Sequence, residues 1–98
     1  MLFHVTAKHN YKTCPGIQHG VESDETNAFS KWMEGNEDVE VLGVWGYNVS
    51  HTIYSVIEAE DMQIVTNLLR SQMAVGDVEV LPVMDGIAAR KTRGHWGN

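Results

Sequence analysis

Three residues able to hold a metal or act as nucleophiles recur at intervals of five near the start of the chain: His9, Cys14 and His19, with His4 just upstream. Imidazole and thiolate are good ligands for zinc, copper or iron, and one loop can fold three such groups around an ion. An alternative that these residues offer is a transition-metal ion or a haem held by His9, Cys14 and His19, with His51 as a further donor. The spacing matches no standard metal motif. Thr13-Cys14-Pro15-Gly16 has no second cysteine for a CxxC redox pair, so a nucleophilic Cys14 would need His9 or His19 close by. The ordinary alternative is a set of surface histidines around a half-buried thiol.

A second constellation is spread over strand-like stretches. His4 and Thr6 alternate with Phe3 and Val5, while Tyr54 and Glu58 alternate with Ser55 and Ile57. Were these rows to share one face, His4, Tyr54 and Glu58 would bring a base, a phenolic donor and a carboxylate into one apolar cavity. That equipment suits proton abstraction and return at a carbon next to a carbonyl. On this reading His4 is the general base, Tyr54 a hydrogen-bond donor and Glu58 the orienting carboxylate. Thr6, Trp45 and His51 would bind substrate. A one-residue slip in register exchanges His4 for Phe3 and removes the site. The plainer alternative is a structural histidine, an interface tyrosine and a solvated glutamate.

The elements that must position these groups are organised around His51–Glu60, HTIYSVIEAE, a β-branched and aromatic run with apolar residues in both of its alternate rows. Residues 2–9 alternate as a first strand, and Asn10–Gly20 is a loop punctuated by Pro15-Gly16 and Gly20. A helix is expected over 22–34, capped by Ser23, with Val21, Ala28, Phe29, Trp32 and Met33 as its buried stripe. Residues 38–47 form a second strand, in which Val39, Val41, Trp45 and Tyr47 share one row. Gly43 and Gly46 suggest a bulge or a close backbone approach. Asn48-Val49-Ser50 turns into the third strand. Asp61 caps a helix over 61–74 with Ile64, Val65, Leu68, Leu69 and Met73 inward. Val78–Met84 is a fourth strand whose Pro82 confines it to an edge.

The order is β-α-β-β-α-β, an α+β ferredoxin-like arrangement in residues 1–86, with a basic tail over 87–98. It predicts a four-stranded antiparallel sheet with two helices on one face and strands one and three central. The other face, apolar in part, then needs a second copy, as in a dimeric α/β barrel.

Composition narrows the classes. The chain carries a net charge of −6, distributed as twelve acids against four bases up to residue 84 and one acid against three bases after it. An acidic body argues against nucleic acid as the partner. No apolar run approaches the roughly 20 residues that span a bilayer, and the N-terminus lacks the pattern of a signal peptide. A single cysteine leaves no intrachain disulfide and fits a cytoplasmic setting. The partners expected are a second copy of the chain and a small-molecule ligand, with no membrane and, in the simplest reading, no cofactor.

The opening MLFHV and the Tyr54-Ser55-Val56 run resemble muconolactone isomerase of the dimeric α/β-barrel superfamily. The patches VLGVWG, HTIYSVIEAED and GDVEVLPV are similar to small uncharacterised members of the same superfamily. The resemblance in element order covers about residues 1–84, and the residue-level match is confined to those patches. It implies a homo-oligomer with a pocket inside the barrel or between sheet and helices. It also implies activities that range over isomerases, cofactor-free oxygenases of aromatic compounds and haem-degrading enzymes. The chain departs from the isomerase in its first loop and its tail.

Overall fold

A computed structural model describes residues 1–98. Its strands are β1 (Leu2–Lys8), β2 (Val39–Tyr47), β3 (Thr52–Ala59) and β4 (Asp77–Val83). They form one antiparallel sheet in the order β2-β3-β1-β4, so the two central strands are those expected and Pro82 lies on an edge strand. The helices are α1 (Pro15–His19), α2 (Asp24–Ser30), α3 (Met62–Leu68), α4 (Arg70–Met73) and α5 (Gly86–Thr92). Short 3₁₀ turns follow α2 at Lys31–Glu34 and precede β3 at Asn48–Ser50.

The sheet has one covered face. Phe3, Val5 and Ala7 on β1 and Ile57 and Ala59 on β3 point into it and are buried against Val65, Leu69 and Trp32. Both main helices start where an oxygen-bearing side chain can satisfy an orphan N–H. Ser23 Oγ accepts from Thr26 N at 3.1 Å, and Asp61 Oδ1 accepts from Ile64 N at 2.9 Å.

Several expectations fail in instructive ways. The Asn10–Gly20 stretch is not all loop, because Pro15 opens the short α1. The helix expected over 22–34 narrows to a 3₁₀ turn, and that over 61–74 breaks at Leu69. Of the first helix's stripe only Trp32 is fully buried; Val21, Ala28 and Met33 are exposed and Phe29 is half-buried. The segment stands over the end of the sheet and leaves a gap beneath it, so Val21, Phe29 and Met33 line a cleft instead of joining the core. Residues 87–98, read as a tail, begin as a helix. Asp85 caps α5 by accepting from Ala88 N at 2.9 Å.

The second strand corrects a row. Val39 and Val41 pair with Ala59 and Ile57 on the covered face, but the register shifts between Val41 and Gly43. Beyond that bulge the covered position passes to Val44, opposite Ser55, and Trp45 and Tyr47 turn to the open face. Fully buried Ser55 donates from Oγ to the Gly43 carbonyl at 2.8 Å, supplying a partner that the interrupted ladder leaves over. A Cβ on Gly43 would fall inside the Trp45 indole, so the glycine lets that ring lie flat along the sheet.

Replacing Ser55 with Ala should therefore destabilise the fold by about 1–3 kcal/mol, the cost of leaving a partly buried carbonyl unpaired. Urea unfolding should show a lowered midpoint at unchanged slope. An unchanged midpoint would mean that the bulge does not depend on this bond.

Candidate functional site

The chain ends of β1 and β3 meet at one rim of the sheet, and three reactive side chains converge there. His9 follows β1 directly, and its backbone N–H donates to the His51 carbonyl at 3.2 Å, which ties the two histidine backbones together. His51 closes the Asn48–Ser50 turn in the left-handed conformation, with φ 52° and ψ 41°. From His9 the chain reverses through a turn in which Asn10 Oδ1 accepts from Lys12 N at 2.8 Å and the Asn10 carbonyl accepts from Thr13 N at 3.1 Å. That reversal returns Cys14 to the histidines. Cys14 precedes α1, and its thiol makes no capping bond, so the sulfur is left available.

Ligand atoms of His9, Cys14 and His51 lie within 4.8 Å of one another. The two imidazoles are 5.1 Å apart between ring centres, and Phe29 stands edge-on to His9 at 5.6 Å. His9 Nδ1 is shielded from solvent and has no hydrogen-bond partner. Burial, and secondarily the neighbouring charge of His51, push the His9 imidazole below its ordinary value of 6.5.

The three side chains line a cleft of about 430 Å³. Its apolar wall is Ile17, Val21, Phe29 and Met33, much of the stripe that the sequence assigns to the core. α2 is held over this gap from one side, since the Phe29 carbonyl accepts from Ser71 Oγ and Gln72 Nε2, each at 3.4 Å. A further anchor is a glycine. A Cβ at Gly76 would overlap the Lys8 carbonyl and crowd the His9 Cα, so only glycine lets the turn before β4 press against the strand end that carries His9.

His19, expected with His9 and Cys14, stands apart from this group, exposed at the end of α1. His51 takes its place. The sequence offered one signal for this: His51 abuts the third strand, and that strand neighbours the first.

His4, Thr6, Tyr54 and Glu58 share one face, the open one, on the opposite side of the sheet from the buried Phe3 and Val5. Thr6, Tyr54 and Trp45 sit side by side across β1, β3 and β2. His4 occupies the next row, opposite Val56, with its ring centre 6.4 Å from that of Tyr54. Glu58 lies one row further, where its Oε1 accepts from the Met1 amine at 2.9 Å. The residues expected to form one substrate site are thus divided, since His51 belongs to the cleft and Trp45 to the open face.

Comparison with known proteins gives a family and a fold. Residues 1–94 match the family model described as a domain of unknown function, DUF3303. No curated protein matches the chain. Among solved structures, that of SCO4226 from Streptomyces coelicolor A3(2) superposes with a TM-score of 0.51 at 18% identity, covering 87% of this chain and all of that one. At that identity the likeness speaks for the α+β, ferredoxin-like fold alone.

Because folding favours neutral His9 more than the unfolded chain does, its contribution to stability is full above pH 6.5 and drains away as pH falls below it. An NMR titration should show His9 with a midpoint below 6.5, rising toward it when His51 is replaced by Asn, which tolerates the left-handed turn. A His9 midpoint at or above 6.5 would contradict the buried placement.

Proposed function

The chain belongs to the DUF3303 family, and within that fold we propose that it is a homodimer whose two open sheet faces close an α/β barrel around a small, partly aromatic metabolite. The observation that carries this reading is the open face itself. Leu42, Trp45, Tyr47, Tyr54, Leu81 and Val83 all lie exposed on the sheet strands, with Trp45 58%, Tyr54 40% and Leu81 47% accessible. Leu81 flanks His4 on β4 as Val56 does on β3. A monomer rarely leaves so continuous an apolar surface in water.

The accessible area supports a second copy as the cover. The chain exposes 6662 Å² for 11.0 kDa, where a compact monomer of that mass exposes about 5,600 Å². The excess of roughly 1,000 Å² is comparable to one partner's share, about 800 Å², of a standard interface. Part of it belongs to α5, which is exposed apart from Ala89. A helix of seven residues is not stable alone. With Met84, Ile87 and Trp96 exposed and three basic side chains on it or just after it, the segment suits clasping the acidic body of the neighbouring subunit.

Inside such a barrel His4, Tyr54 and Glu58 are the groups for proton transfer, and Thr6 and Trp45 are the surface on which a planar ligand would rest. The chemistry that this set performs without a cofactor is that of an isomerase or a monooxygenase acting on an activated carbon acid. The unpaired thiol Cys14 fits a reducing, cytoplasmic setting, and no helix is long and apolar enough to cross a membrane.

Native mass spectrometry should find twice the chain mass. Leu81→Glu, at an exposed position that leaves the monomer's core untouched, should shift the protein to monomer with an unchanged circular dichroism spectrum. Removal of residues 87–98 should loosen the dimer. A monomeric wild type, or a Leu81→Glu protein that stays dimeric, would exclude the barrel.

A thermal-shift screen of small aromatic lactones and phenols tests the pocket. A ligand at about ten times its Kd should stabilise the dimer by about 1.4 kcal/mol and raise Tm by several degrees. His4→Gln should keep the dimer but abolish turnover of that ligand. Undiminished turnover would remove His4 from the chemistry.

A further inference from the structure

On the other side of the sheet, we propose that His9, Cys14 and His51 form a three-ligand site for a zinc-class divalent ion, with a fourth coordination position open to the cleft. Four independent features converge on it. The ligand atoms come from two separate stretches of chain, joined by the His9 N–H to His51 carbonyl bond, and lie within 4.8 Å of one another. Around a tetrahedral ion, with metal–nitrogen distances of about 2.0–2.1 Å and metal–sulfur of about 2.3 Å, they would stand roughly 3.3–3.7 Å apart. The closure needed is at most about 1.5 Å, within reach of side-chain rotation. His9 Nδ1 is shielded and has no partner, whereas a buried polar atom of a native fold ordinarily has one. The Cys14 sulfur is spared from capping.

The fourth feature is the cleft. Structural zinc sites are closed by four protein ligands, whereas a site with three keeps a position for water or an exogenous donor. Here that position faces about 430 Å³ walled by Ile17, Val21, Phe29 and Met33. A small molecule with one oxygen, nitrogen or sulfur donor and a compact apolar body suits that space. Ion binding converts the Cys14 thiol to thiolate and releases its proton to solvent. Thiolate and imidazole together select borderline-soft ions over magnesium or calcium.

The test uses the full-length protein, stripped with EDTA and titrated calorimetrically with Zn²⁺, then with Co²⁺ as a spectroscopic probe. One ion should bind per chain. The Co²⁺ form should show thiolate-to-metal charge transfer in the near ultraviolet and the visible bands of a tetrahedral ion. Cys14→Ser should abolish the charge-transfer band, and Cys14→Ser and His51→Asn should each weaken Zn²⁺ by at least about 100-fold, at the upper end of what losing an outer-shell partner costs. Both replacements are near-isosteric or turn-compatible, and an unchanged circular dichroism spectrum confirms that they fold. His19→Gln should bind as the wild type does. Absence of stoichiometric binding, binding indifferent to Cys14→Ser and His51→Asn, or loss of binding with His19→Gln would each overturn the site. Because these ligands lie on the far side of the sheet from His4 and Tyr54, the result is independent of whether the barrel forms.

Discussion

The arrangement of this molecule turns on one irregularity, the bulge between Val41 and Gly43, and on the bond from the buried Ser55 hydroxyl to the Gly43 carbonyl that accompanies it. A strand with strict alternation would place Val39, Val41, Gly43, Trp45 and Tyr47 on one side. The core would then have to accept an indole and a phenol beside Ile57 and Trp32. The extra residue reverses the parity. Valines stay in the core on both sides of the bulge, and the two large aromatics move to the open face beside Tyr54. The hydroxyl supports this arrangement, because it satisfies a partly buried carbonyl at the bulge.

That reversal gives the sheet two chemically different sides. The covered side holds a small core, with only 12 of 98 residues buried, so little of the chain's apolar content is used up there. The remainder appears in two places. Leu42, Trp45, Tyr47, Tyr54, Leu81 and Val83 form the open face, and Ile17, Val21, Phe29 and Met33 wall the cleft under α2. Both are surfaces of the kind that take a partner or a ligand. The His4 row belongs to the first and the His9–Cys14–His51 group to the second. A single layer of sheet separates two groups of side chains that composition alone would merge into one histidine-rich cluster.

The cleft also shows how little is needed to bring two imidazoles and a thiol together. The three side chains are collected by an Asn10 turn, by a left-handed His51, and by a glycine at position 76 that permits two backbone segments to touch. None of these devices is catalytic. Each constrains the path of the chain by steric or hydrogen-bonding rules, and the convergence of His9, Cys14 and His51 is their consequence.

Much of the architecture was legible in the residues. Alternation in residues 2–9 and 51–60, the caps Ser23 and Asp61, and the edge-directing Pro82 depend on local sterics and hydrogen bonding, which each segment carries within itself. They were enough for the order of elements and the antiparallel sheet, while the sharing of one face by His4, Thr6, Tyr54 and Glu58 came from the register of β1 against β3. What lay beyond them was set by contacts between distant segments. The side to which Trp45 turns depends on a bulge registered against β3. Whether Val21 and Met33 are core or cleft wall depends on how closely α2 approaches the sheet. The exchange of His19 for His51 follows from the pairing of β1 with β3, which brings residues 9 and 51 to the same rim while α1 carries His19 outward. Spacing along the chain measures covalent distance, and a ligand set is chosen by distance through space.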